Sequence, residues 1–397
     1  MQIKERFLRY IQVETTSDES SESCPSTPGQ WNLARLLVQE MKDMGIADAR
    51  VDENGYVYGT IPAKGKHPER IGLIAHMDTS DAVLGPTHPV VLPHFDGKPV
   101  TLANGLVIDD ADILASHAGE DLIVTDGTSV LGADDKAGVS EIMELAALLT
   151  APDAPEHATV CIGFTPDEEI GRGADRFNVE GFHADYAYTV DGGAVGEIEY
   201  ENFNAASCHV TVHGLSFHPG SAKNRMVNAA RIATEFVHML PESETPERTE
   251  GYEGFYHLIS LEGDCEKAEL TFIIRDHDRE KFESRKARMQ AITDYLNTVY
   301  GAGTVECALR DSYYNMREKV EPRMEIVEAA REAFRACGVT PVSVPIRGGT
   351  DGARLSYMGL VCPNLSTGGY NFHSRKEFIT VQSLEKMTEV LLTLVRR

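Results

Sequence analysis

Three short apolar runs constrain this chain more than any other feature. Arg70–Ala75 runs into His76-Met77-Asp78-Thr79, Thr159–Phe164 into Thr165-Pro166-Asp167-Glu168-Glu169, and Tyr186–Val190 into Asp191-Gly192-Gly193. Each reads as a buried strand that ends on polar residues, and helical patterns lie between them, so the spacing predicts an α/β sheet. In open α/β sheets the carboxyl ends of the strands form the ligand-binding crevice. A fourth cluster, Leu131-Gly-Ala-Asp134-Asp135-Lys-Ala-Gly138, places two adjacent carboxylates just before a helix expected over 139–149. Neighbouring buried carboxylates repel, and a multivalent cation is the usual way to keep both ionised.

The rest of the first domain is read as helices over 3–13 and from Pro28 towards Gly45, the latter opened by a capping box of Thr27 and Gln30. A tight turn is expected at Asn54-Gly55. Residues 81–125 read as an inserted loop or small hairpin set. From about Asn204 the rhythm changes to β-α-β-β-α-β, the order of a split-βαβ (ferredoxin-like) α+β sandwich. The domains predicted are therefore 1–204, a catalytic domain with a mixed, mainly parallel sheet flanked by helices; 205–312, an inserted second domain; and 313–397, the remainder of the first.

At 397 residues the length suits two domains. With 37 basic and 62 acidic side chains the net charge is −25, a field that repels nucleic acid and anionic membrane surfaces. Seven scattered cysteines with no C-x-x-C pair argue against a disulfide framework or a thiolate zinc site. No run approaches a membrane span, and the opening residues lack an apolar core of signal-peptide length. A cytoplasmic location is expected.

His76, Asp78, Asp134, Glu168, Glu169, Asp191 and His373 make a constellation of imidazoles and carboxylates suited to zinc or other first-row divalent ions. Five of them, His76, Asp134, Glu169, Asp191 and His373, suffice for two metals if one carboxylate bridges. Asp78, two residues beyond His76, is then placed to accept the other ring N–H of that histidine. Glu168 is free to act as general base beside a metal-activated water, so metal-assisted hydrolysis is the reaction class. Each cluster alone has an ordinary reading: an Asp N-cap, a solvated helix start, a turn, an exposed loop histidine. The shared position of His76, Glu169 and Asp191 at the ends of strands of one sheet favours the metal site.

These motifs, with Glu201–Ala206, Glu250–His257, Asp311–Lys319, Pro345–Gly352 and Thr367–His373, resemble the di-zinc exopeptidase family that includes carboxypeptidase G and aminoacylase. The resemblance covers the whole chain, and the segments at 250–257 and 311–319 point to its tripeptide aminopeptidase branch. It implies two zinc ions, for which cobalt or manganese can substitute. His76 and Asp191 would hold one, Glu169 and His373 the other, and Asp134 would bridge them. It also implies a cis peptide at Asp134–Asp135. By the same resemblance His218, Asn228, Arg275 and Arg347 would bind substrate, with Arg347 suited to a bidentate pair with a peptide C-terminus. The expected partners are short peptides, tripeptides being the expected substrates, and a second copy of the chain in a homodimer. A dipeptidase or an N-acyl-amino-acid deacylase of the same family is the alternative, and a non-catalytic metal-binding protein a more distant one.

Overall fold

Strand Arg70–His76 lies at the centre of an eight-stranded sheet, parallel to Thr159–Thr165 on one side and to Tyr186–Gly192 on the other. In this computed structural model, which describes residues 1–396, the strand order is 50–51, 57–61, 159–165, 70–76, 186–192, 364–366, 197–199 and 342–343. The strands at 57–61 and 197–199 run antiparallel to neighbours, so the sheet is mixed and mainly parallel at its centre. The three central strands are buried almost end to end. That is why they read as continuous apolar runs and not as alternating ones.

Helix Ala133–Thr150 packs on strands 70–76 and 186–192, and helices Ile3–Ile11 and Val381–Val395 pack on it in turn. Phe7, Ile11, Leu131, Ala137 and Leu384 form part of the core they share. Gly138 is what permits the close approach: a Cβ there would stand 1.9 Å from the carbonyl oxygen of Val190. A second core gathers Tyr56, Tyr58, Ile74, Phe177, Phe182 and Leu355.

Two expectations are corrected in detail. The capping box at Thr27 does not form: Thr27 is the N-cap of helix Pro28–Asp43, but its hydroxyl donates to Thr16 O (2.8 Å) and Gln30 Nε2 donates to Asp167 (2.7 Å). Residues 81–125 form more than a loop. Strands Pro89–Leu92 and Leu122–Thr125 join Gly369–Tyr370 and Phe378–Thr380 in a small sheet of order 369–370, 378–380, 122–125, 89–92, with helix Ala111–Ser116 beside a two-stranded hairpin.

The chain divides into two units, residues 1–200, 318–344 and 350–397 forming the first and 201–317 with 345–349 the second. The second unit is a four-stranded antiparallel sheet of order 255–263, 267–276, 204–213, 305–313. Helices Ala229–His238 and Arg279–Tyr300 cover it, closing on Val210, Phe236, Phe272, Phe282 and Leu296. Segment 345–349, expected within the resumed first domain, belongs to this unit. Ile346 N donates to Glu201 O (2.9 Å), and the Arg347 guanidinium donates to the carbonyls of Gly251 (2.7 Å), Glu253 (3.2 Å) and Thr249 (3.3 Å).

Candidate active site

The strand order brings the three polar strand ends side by side, because 159–165, 70–76 and 186–192 are adjacent. His76 closes its strand with a buried ring. Its Nε2 lies 2.9 Å from Asp134 Oδ1 and 3.4 Å from Asp191 Oδ1. Its Nδ1 lies 3.1 Å from the carbonyl oxygen of Asp78 and 3.3 Å from the carboxylate. Asp78, fully buried, also accepts the backbone N–H groups of Glu168 (3.0 Å) and Glu169 (3.1 Å), so one carboxylate ties the His76 strand end to the neighbouring loop. That loop is fixed from its other side by Asp167, which accepts Ser26 N (2.8 Å) and Gln30 Nε2 (2.7 Å) at a left-handed φ of 59°.

Asp134 faces both histidines, with Oδ2 3.0 Å from His373 Nε2, and His373 Nε2 lies 2.8 Å from Glu169 Oε2. The five residues expected as ligands are thus joined in a chain running Asp191, His76, Asp134, His373, Glu169. The peptide between Asp134 and Asp135 is cis. Asp135 takes a different part: its Oδ2 accepts His76 N (3.1 Å) and its Oδ1 accepts Gly138 N (3.2 Å), so both oxygens serve backbone.

Burial dominates the electrostatics. It pushes Glu169 up to about 7 and Asp191 to about 6, in each case with help from Asp134, and it drives Glu168 and Asp135 well above the usual carboxylate range. Burial also acts upward on Asp134, but hydrogen bonds from His373 and His76 outweigh it and hold its carboxyl low. Hydrogen bonds to Asp134 and Glu169 raise His373 to about 11. Such a cage binds protons or cations strongly. Glu169 Oε1 is buried with no hydrogen-bond partner, an acceptor left for a cation. Two imidazoles and three carboxylates, one with an oxygen toward each histidine, fit a pair of first-row divalent ions.

Two residues that sequence reasoning passed over also build the site. Glu377 is buried beneath the aspartate loop, its Oε2 accepting Leu131 N (2.7 Å) and Gly132 N (2.9 Å) and its Oε1 accepting Asp134 N (3.1 Å). Its only signal was standing four residues after His373. Asp351 accepts the hydroxyl of Thr165 (2.8 Å), and burial pushes it up to about 7.

The four candidate substrate residues all stand in the second unit. His218 caps a short turn, its Nδ1 accepting Gly220 N (3.2 Å), and Asn228 caps helix Ala229–His238 through Arg231 N (3.1 Å). Arg275 donates to the Tyr313 hydroxyl and lies 5.1 Å from that ring's centroid. Its Nε is buried without a partner, and burial lowers its pKa to about 10. Arg347 directs both terminal nitrogens into loop 249–253 and packs on Phe203 and Phe255, so the donors expected to meet a peptide carboxylate are engaged within the protein.

A peptidase T of Clostridium perfringens is 50% identical over 398 aligned residues, covering 99% of this chain and 98% of that protein. The chain belongs to the peptidase T family. A Desulfitobacterium hafniense peptidase T is 52% identical over 397 residues, again nearly end to end. Residues 200–304 match the family model described as a peptidase dimerisation domain. Among solved structures, an aminopeptidase from Bacillus cereus shares the fold at a TM-score of 0.79 with 23% identity, covering 100% of this chain and 97% of its own. A dinuclear metal-binding peptidase of the M20 family from Bacillus subtilis does so at 0.68 with 14% identity, covering 99% and 96%. As a member of the peptidase T family the chain is a hydrolase of the exopeptidase type.

Proposed function

We propose that the protein is a zinc-dependent aminopeptidase that releases the N-terminal residue from tripeptides. The observation that carries this reading is the linked set His76, Asp134, Asp191, Glu169 and His373, in a chain half identical to peptidases T. His76 and Asp191 would hold one ion and Glu169 and His373 the other, with Asp134 shared. Bound there, such ions would supply a Lewis acid for the scissile carbonyl and a lowered pKa for the attacking water. Zinc suits the donors, and cobalt or manganese would be accepted by the same set.

The chain's own residues do the rest. Glu168 takes the water's proton and delivers it to the departing amine, a role its neighbour Glu169 is not free to fill. Asp78 fixes the orientation of His76 and, through two amides, the place of Glu168. By the resemblance His218 and Asn228 would take part in substrate binding. Arg275, whose buried Nε has no partner, would offer a donor to the peptide's carboxylate. Arg347 would act on substrate through the loop it braces.

A cytoplasmic location is part of this proposal. All seven cysteines are unpaired, and among the described residues no helix is long and apolar enough to cross a membrane. So is a homodimer, supported by the dimerisation-domain match and by edge strand 255–263, which exposes Ile259 and Leu261. Glu168→Gln tests the catalytic assignment. Tripeptide kcat should fall about 10²–10⁴-fold with KM little changed and bound metal retained. Near-normal turnover by that variant would remove Glu168 from the mechanism.

A further inference from the structure

The two histidines of the site are held in different ways. His76 ends a central strand, 2% exposed and boxed by carboxylates, whereas His373 is 49% exposed. His373 sits on the hairpin between Gly369–Tyr370 and Phe378–Thr380, at a left-handed φ of 57°, with Asn371 at 58°. A half-exposed side chain on such a loop gains little from packing, so tethers must set its position.

Apart from bonds within the hairpin and those of Glu377 to the aspartate loop, the tethers come from one segment. Before His373, Asn371 Nδ2 donates to Asp110 Oδ2 (2.8 Å), and Tyr370 Oη lies 3.2 Å from His117 Nε2. The His117 ring is itself fixed, with Nδ1 2.8 Å from Glu120 Oε2 and its centroid 5.4 Å from that of Tyr370. After His373, Lys376 Nζ donates to Asp109 Oδ1 (2.8 Å). Strand Leu122–Thr125, which follows directly, pairs with Phe378–Thr380 at the far end of the hairpin. Both flanks of His373 are therefore bonded to residues 109–120, which contribute no ligand themselves.

We propose that segment 109–120 is a strut that positions His373, and so sets the affinity of the ion that His373 shares with Glu169, while leaving the His76–Asp191 ion alone. This rests on the reading of those four residues as metal ligands. The Asn371–Asp110 and Tyr370–His117 pairs are part-buried and the Lys376–Asp109 pair is exposed, and single polar pairs of this kind add little to overall stability. Groups that orient a metal ligand typically change metal affinity 10–100-fold when removed. The strut should thus be visible in metal binding and nearly silent in folding.

The test is calorimetric titration of the metal-stripped full chain with Zn²⁺, comparing the parent with Asp109→Ala/Asp110→Ala and with Tyr370→Phe. The parent should take up two equivalents. Each variant should bind the first ion as the parent does and the second about 10–100-fold more weakly. The melting temperature of the metal-free chain should stay close to the parent's. Asp110→Asn, which keeps an acceptor for Asn371, should bind both ions as the parent does. Equal weakening of both ions, or no weakening, would overturn the strut. A parent that takes up no zinc would overturn the ligand reading beneath it, a different and separately visible failure.

Discussion

Adjacent acidic residues in this chain carry unlike roles, and the backbone decides which is which. Asp134 turns both oxygens to histidines while Asp135 gives both to amides; Glu169 meets His373 while Glu168 stays free of the ligand chain. The pairs were legible in sequence as clusters: Glu168 and Glu169 after an apolar run, hence at a strand end, and Asp134 and Asp135 just before a helix. What held them was not legible. Glu377 reaches the aspartate loop from 243 residues away in sequence to accept the N–H of Asp134, and no local pattern announces such a bond. Replacing it with alanine orphans the amides of Leu131, Gly132 and Asp134, at about 1–3 kcal/mol per buried donor. Thermal unfolding of Glu377→Ala should show a clear drop in Tm, with Glu377→Gln between the two. A Glu377→Ala variant as stable as the parent would show that the loop satisfies its amides without this carboxylate.

At the scale of elements, helix Ala133–Thr150 does two jobs. The non-helical kink at Asp134 and Asp135 at its start presents Asp134, and its body fills the space against strands 70–76 and 186–192. The sequence announced the helix through its apolar residues, but not that Glu141 on it is wholly buried with neither oxygen bonded. Burial alone drives that carboxyl well above its ordinary 4.5. Below that pH both folded and unfolded chains hold the proton and the residue has no pH-dependent effect. Above it the unfolded chain releases the proton and the folded chain does not, so stability falls by up to about 1.4 kcal/mol per pH unit until the folded carboxyl itself ionises. Glu141→Gln removes this term. Its Tm should therefore gain on the parent's as pH rises from 5 to 8, and a Tm difference constant across that range would contradict the buried, protonated glutamate. The capping box at Thr27 was misread for a related reason: Gln30 Nε2 keeps only long bonds to Ser26 and Thr27 (3.3 Å each) and bonds most closely to the distant Asp167 (2.7 Å), on the loop that carries Glu168 and Glu169.

At the scale of the whole molecule, the sequence disclosed both the doubly covered sheet and the ferredoxin-like unit, because period and element order survive without contacts. It misassigned 345–349, whose attachment depends on Arg347 reaching loop 249–253. The molecule's net charge of −25 concentrates its functional meaning where carboxylates are buried together, since only there must a cation offset them. Metal dependence and preference for tripeptides both follow if this cage holds the catalytic ions. The direct measurement is product release from matched di-, tri- and tetrapeptides and an N-acetyl amino acid, using parent protein as purified, after chelation, and after return of two equivalents of zinc. The tripeptide should yield a free N-terminal amino acid and a dipeptide faster than the other substrates yield any product, with release abolished by chelation and restored by zinc. Full turnover by the metal-free protein, or tripeptide cleavage no faster than that of its neighbours in length, would contradict a metal-dependent tripeptidase.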